Sequence, residues 1–226
     1  MPLTTPAPAQ TVKPRRQAAW TSLVGRALEL RLARRRARLD DTRYWTSRSA
    51  AVQLRQLRVL LRSAQATAFG AAHGFGRLAP LPDDQLLPAY RDAVPLADWY
   101  AFKDAIAQMR EDGRPDVLWP GLVMDFAQTS GTTAGDKFIP VSKQMMRSNY
   151  LAALDIFANA MRFGISLPRL TRGKALFLGG SSDLSTNRHG IRTGDLSGLV
   201  TPLIRWPISE IYAPGPEIAL MNHWPS

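Results

Sequence analysis

Gln128-Thr129-Ser130-Gly131-Thr132-Thr133-Ala134-Gly135-Asp136-Lys137-Phe138-Ile139-Pro140-Val141 is the stretch on which the reading of this chain turns. Seven consecutive residues, Thr129 to Gly135, are all Ser, Thr, Gly or Ala. They are too small and polar to build core. The apolar Leu122, Val123, Met124 and Phe126 lead into them, and a β-like run, Phe138 to Val141, leads out. A glycine-rich loop between two strands lets successive backbone N–H groups point into one concavity, where they can hold an anion. The hydroxyls of Ser130, Thr132 and Thr133 add donors, and Lys137 adds a point charge suited to phosphate. This is the chemistry of a triphosphate cradle, although a Ser/Thr-rich turn without a ligand spells the same letters.

The common P-loop needs Gly-Lys-Ser/Thr opening a helix. Here Asp136 separates Gly135 from Lys137, and Phe138 follows the lysine. The pattern Thr-Ser-Gly-Thr-Thr-x-x-x-Lys instead resembles the phosphate loop of adenylate-forming enzymes. Its continuation Phe138-Ile139-Pro140-Val141 narrows the likeness, as do Phe69-Gly70, His73-Gly74-Phe75 and Asp116-Val117-Leu118-Trp119-Pro120-Gly121 upstream. With these, the chain from Trp20 to Ser226 resembles the Gretchen Hagen (auxin-responsive promoter) family of acyl acid amido synthetases. Two positions depart from the family pattern. Ala134 stands where a glycine usually follows the Thr-Thr pair, and Asp136 where a proline often precedes the lysine.

The resemblance implies an α/β fold class, with an N-terminal helical segment followed by part of the large adenylate-forming (luciferase-like) domain, incomplete. It implies ATP and Mg²⁺ as cofactors. A carboxylic acid is activated to an acyl-adenylate with release of pyrophosphate, and an amine or amino acid then displaces AMP to give an amide. The partners expected are therefore a small-molecule carboxylic acid and an amine or amino acid, with no nucleic acid and no membrane span, in the cytoplasm. Ser130, Gly131, Thr132, Thr133 and Lys137 match the family's phosphate loop and carry its nucleotide-binding role, which is positioning and electrostatic stabilisation. No residue is assigned to proton transfer or to a metal. The family's Tyr-Gly-x-Ser/Thr-Glu tract and its closing C-terminal domain do not occur in these 226 residues. The expectation is thus an N-terminal portion of such a ligase, inactive by itself. The competing readings are a non-catalytic nucleotide-binding remnant and a basic protein that interacts with nucleic acid or a lipid surface.

Composition narrows these alternatives. An apolar fraction of 45% is ordinary for a globular protein. There is no cysteine, and the three histidines, His73, His189 and His223, are far apart, which argues against a zinc centre. The net charge is +11, but it is not spread evenly. Residues 1–62 hold 14 Lys/Arg against 3 acidic residues, while residues 63–226 hold 15 of each. A uniformly basic nucleic-acid binder would not show that asymmetry.

Taken in order, residues 1–17 read as a disordered, proline-containing tail. Trp20, Leu23, Val24, Ala27 and Leu28 recur at helical spacing and run into Arg31, Arg34, Arg35, Arg36 and Arg38. That pattern fits an organelle-targeting peptide or a membrane-surface helix. The favoured reading is plainer, a solvated arginine-rich face on the first helix. A helix is expected over Ser49–Ala68, with Leu54, Leu57, Leu61, Ala64 and Ala68 inward and Gly70 as its C′ residue. His73 belongs to a structural turn. Pro80 to Pro95 is connection with one short helix. Asp98 caps a helix that turns Trp99, Phe102, Ile106 and Met109 to the core and stops at Gly113. Residues 18–112 therefore form a basic helical subdomain.

Residues 113–226 form the α/β nucleotide-binding portion. Val117-Leu118-Trp119 reads as a short strand, and Ser142 as N-cap of a long helix with Met146, Tyr150, Leu154, Phe157 and Met161 inward. A strand from Ala175 to Leu178 runs into Gly179-Gly180-Ser181-Ser182, either a tight turn or a backbone approach to ligand. Arg192-Thr193-Gly194-Asp195-Leu196 spells a ribose-binding tract of adenylate-forming enzymes, but it stands too near the phosphate loop for that role. A Gly-Asp turn between two strands accounts for it. Trp206 and Trp224 read as packing residues.

Overall fold

The computed structural model describes residues 20–129, 137–176, 184–204 and 208–213. The expected tail, residues 1–17, lies outside them. Helices α1 (Trp20–Asp40) and α2 (Thr42–Ala64) meet at Asp41, whose carboxylate accepts from the Tyr44 N–H at 2.9 Å. This N-cap starts α2 well before Ser49, where the apolar spacing alone had placed it. The helix also stops earlier than expected, at Ala64. Buried Thr67 donates to the Ala64 carbonyl and accepts from the Gly70 N–H, which opens a new short helix, α3 (Ala68–Ala72). Gly70 is thus no C′ residue. It sits inside α3, where a Cβ would come 1.9 Å from the Ala64 oxygen, so close approach is what demands glycine there.

Gly74, at φ 66°, turns the chain into α4 (Phe75–Leu78). The proline-rich connection contains an 11-residue helix, α5 (Asp83–Ala93). Leu61, Ala64, Phe75, Leu78, Ala79 and Leu86 close a core among α2, α4 and α5. Arg58 locks its rim, donating to the carbonyls of Ala79 and Leu81 and to Asp83 at 2.5–2.7 Å. Asp98 does cap a helical start, but the first turn, Trp99–Phe102, is 3₁₀ and only then becomes α6 (Lys103–Arg110).

Val117–Trp119 is not a strand. Its backbone is used sideways, because the carbonyls of Asp116 and Val117 accept from the Ala68 and Phe69 N–H groups. Those are donors that the first turn of α3 leaves unpaired. Asp116 holds a positive φ of 56°, and its carboxylate accepts from the Gly121 N–H at 2.7 Å.

The sheet begins with β1 (Asp125–Thr129) and β2 (Lys137–Pro140), an antiparallel hairpin. Ser142 caps α7 (Lys143–Ala160) through the Met145 N–H, and α8 (Leu167–Leu170) follows. Tyr150 is not part of the buried stripe expected on α7. It is 56% exposed, and the residue that α7 buries fully is Ala158. Next come β3 (Ala175–Leu176), β4 (Leu184–Thr186), β5 (Arg192–Gly194), α9 (Leu196–Val200), α10 (Ile208–Ile211) and β6 (Tyr212–Ala213). The main sheet has order β2-β1-β5-β4, with β1 and β5 parallel and its other neighbouring pairs antiparallel. β3 and β6 form a separate parallel pair.

Alternation along the strands sends side chains to opposite faces. Phe126 and Phe138 pack with Ile106, Met109, Val117, Val123 and Ile191 on the α6 side. Ala127 and Ile139 pack with Val141, Leu199 and Met146 on the other. A sheet covered on both faces in this way is a mixed helix-and-sheet, α/β-type arrangement.

Helix α1 packs along α7 and α8. Leu32, Ala158 and Leu167 are its buried contacts, with Leu28 and Leu39 beside them. Leu23 and Ala27, two of the apolar residues that recur at helical spacing, are exposed. Arg35 forms a two-pronged pair with Asp155, which raises the guanidinium pKa above its ordinary value, the hydrogen bond being the main cause. Glu29 accepts from the Leu167 N–H at 3.0 Å, and Asp40 pairs with Arg162 at 2.9 Å.

Candidate phosphate-binding site

The register of the hairpin decides where the Ser/Thr/Gly loop emerges. Phe126 faces Pro140, and the pairing runs up to Thr129 opposite Lys137. Residues 130–136 therefore join the two strands at that open end. Four of the expected contacts, Ser130, Gly131, Thr132 and Thr133, lie outside the described residues. The fifth, Lys137, is described. It stands half-buried as the first residue of β2, at the mouth of the hairpin.

Two aromatic rings hold that lysine. Its Nζ lies 5.1 Å from the Tyr100 ring centroid and 5.8 Å from that of Trp99. The rings meet edge to face at 5.5 Å. Trp99 is itself anchored to the strand, its Nε1 donating to the Phe138 carbonyl at 3.2 Å. One residue further in, the Arg110 guanidinium lies over the Phe138 ring at 3.5 Å. Its buried Nε has no hydrogen-bond partner among the described residues, so the ring face is what that edge meets. Lys137 pairs with no carboxylate among the described residues. An ammonium beside two ring faces, with no carboxylate partner among the described residues, has the chemistry to meet an anion.

The other flank of β1 carries a carboxylate. Because β1 and β5 are parallel, both leave the sheet at the same edge, with Gly194 opposite Ala127. Asp195 follows directly and takes the N-cap position of α9. Its side chain makes no capping bond, and its carbonyl accepts from Leu199 at 3.1 Å. The expected Gly-Asp turn between two strands is thus a strand-to-helix junction. The hairpin turn lies earlier, at Asn187–Gly190, where Asn187 donates to Ile191 and Gly190 takes φ 75°. The turn residues Asn and Gly at those positions were the available signal. At the base of the same strands, Arg192 and Asp125 pair at 2.6 Å.

His73 caps the end of α3. Its Nδ1 donates to the Phe69 carbonyl at 2.9 Å, and its ring stacks on Phe69 at 4.1 Å, as a structural turn requires. Gly179–Ser182, Trp206 and Trp224 lie outside the described residues. Sequence reasoning missed Tyr100 and Arg110, and it placed Trp99 wholly in the core. Nothing local signals that Trp99 and Tyr100 meet Lys137, nearly forty residues on.

Among the described residues no three His, Cys, Asp or Glu side chains gather at metal-binding distance. No helix among the described residues is long and apolar enough to cross a membrane.

The fold is thus a mixed helix-and-sheet domain whose hairpin sets Lys137 opposite Thr129. The GH3 family N-terminal domain matches residues 38–213, well over half of the chain, and the protein belongs to that family, the Gretchen Hagen 3 acyl acid amido synthetases. The matched span contains the whole hairpin and its loop. Comparison with curated proteins gives no match.

Proposed function

We propose that this chain supplies the phosphate-binding part of an ATP-dependent acid-activating enzyme of the large adenylate-forming type. A carboxylic acid attacks the α-phosphate of ATP, pyrophosphate leaves, and an amine or amino acid takes the acyl group from the adenylate. The observation that carries this reading is the hairpin register, Thr129 against Lys137, which sets a cation beside the ends of the Ser/Thr/Gly loop. Family membership supports it.

In this reading Ser130, Gly131, Thr132 and Thr133 donate to phosphate oxygens, and Lys137 neutralises charge as it develops on the departing pyrophosphate. Mg²⁺, held by the phosphates, supplies further charge neutralisation when bound. Residues 113–226 are the nucleotide-binding portion, and residues 18–112 are the helical support that positions Trp99 and Tyr100 under Lys137. The cytoplasm, where ATP is abundant, is the compartment that suits this chemistry.

Titration of the chain with ATP and Mg²⁺, followed by acid-dependent ATP–pyrophosphate exchange, tests the proposal. Replacing Lys137 with Ala should weaken ATP binding about tenfold or more, the loss expected for one charge-assisted hydrogen bond. ATP affinity that is the same in Lys137→Ala as in the parent chain would falsify the phosphate role.

A further inference from the structure

Helix α1 has two faces, and the fold uses one. Leu28, Leu32 and Leu39 lie against α7 and α8, and a Cβ at Gly25 would come 2.5 Å from the Pro168 backbone. Both acids of the helix serve the docked structure, Glu29 through the Leu167 N–H and Asp40 through Arg162. With about 3.6 residues per turn, the opposite side carries Leu23, Ala27, Leu30 and Arg34, flanked by Arg26 and Arg31. Leu23 is 64% exposed and Leu30 77%. They stand two turns apart, roughly 10 Å along the axis. Arg26, Arg31 and Arg34 are exposed as well, and none has a carboxylate partner among the described residues. The family match begins at residue 38, so it assigns this face nothing.

We propose that the outer face of α1 docks on an anionic lipid surface. A helix that lies in a membrane interface needs cations at headgroup depth and apolar side chains that reach the acyl boundary beneath them. Arg26, Arg31 and Arg34 supply the first, Leu23 and Leu30 the second, and no acid on this face repels the lipid phosphates. A nucleic acid would satisfy the arginines through its phosphates. It would leave two exposed leucines against a hydrated backbone, where their burial gains nothing. The leucines decide for lipid. The helix lies on the surface and does not cross, since its other side stays bound to α7 and α8.

Flotation of the full chain with vesicles tests this, using equimolar phosphatidylglycerol and phosphatidylcholine against phosphatidylcholine alone. Binding is expected on the anionic vesicles only, and it should fall as salt rises. The double variant Leu23→Ser, Leu30→Ser should lose about tenfold in vesicle binding while its circular dichroism is unchanged, since both side chains are already exposed. The triple variant Arg26→Gln, Arg31→Gln, Arg34→Gln should lose at least as much and flatten the salt dependence. Equal binding to both vesicle types overturns the proposal, as does full binding by the leucine variant. A short DNA duplex that binds the chain more tightly than the anionic vesicles also overturns it, if its binding survives the leucine changes and fails with the arginine ones.

Discussion

Two helical regions of the molecule are held by different means. Helices α2 to α5 pack mainly on one another, closing a core from residues that lie within a few dozen positions along the chain. Helix α1 has no such local partners. Arg35 finds Asp155 120 residues later, and Glu29 finds the Leu167 N–H 138 residues later. The first region rests on apolar side chains sealed between neighbouring helices. The second combines a thin apolar seam with ion pairs and one close backbone crossing. Long-range closure costs more chain entropy than local closure. The α1 seam should therefore open before the α2–α5 core does, and a substitution in each should report a different event.

The largest effect is expected in the local core. Leu86 is fully buried there, and Leu86→Ala should destabilise the whole fold by about 2–5 kcal/mol. Urea unfolding followed by circular dichroism would show the midpoint shift. A loss below ~1 kcal/mol would mean that the site collapses around the cavity and that this region is looser than its packing implies. Gly70→Ala comes next. Its Cβ would meet a backbone oxygen, not a movable side chain, so α3 must shift. About 1–3 kcal/mol is expected by the same measurement.

These two sites also show how far the sequence could be read. The apolar spacing of Leu54, Leu57 and Leu61 is local information, and α2 is legible from it. Its ends are not, because Asp41 and Thr67 fix them through single side-chain hydrogen bonds that spacing does not encode. The hairpin that brackets the Ser/Thr/Gly segment follows from the apolar approach and the Phe138–Val141 run. What flanks Lys137 was not legible. Tyr100 and Arg110 reach the hairpin through tertiary packing, and the parallel β1–β5 pairing that carries Asp195 to the same sheet edge is a long-range event. Val117–Trp119 misled for a related reason. It has strand-like residues, but the Val117 carbonyl and that of Asp116 before it pair with α3, so the local preference was overridden by a helix start that needed acceptors.

The docking of α1 supplies a sharper contrast. Gly25→Ala places a methyl against Pro168 and should pry α1 off α8 without touching the α2–α5 core. Hydrogen exchange is the discriminating measurement. Protection of α1 amides should fall by about ten- to a hundredfold, equivalent to ~1–3 kcal/mol of local opening. Amides of α2 should keep theirs. If both helices lose protection together, the two regions unfold as one unit and the contrast between them fails.

The smallest effect belongs to the ion pair. Arg35 and Asp155 are each about a third exposed, so solvent screens most of what their two-pronged geometry could contribute. Arg35→Ala should cost ~0.2–1 kcal/mol in the stability of the α1 seam, less at high salt than at low. Adding Asp155→Ala to it should cost little more, because the carboxylate is too exposed to be stranded. A full double-mutant cycle at two salt concentrations separates this coupling from the packing of the arginine stem, which salt does not weaken. If the coupling exceeds ~2 kcal/mol and is insensitive to salt, the pair behaves as a buried one. α1 would then be held chiefly by charge, with its leucine seam secondary. A small, salt-sensitive coupling assigns the docking to Leu32, Leu167 and the tight crossing at Gly25, and leaves the remaining arginines of the helix free to face outward.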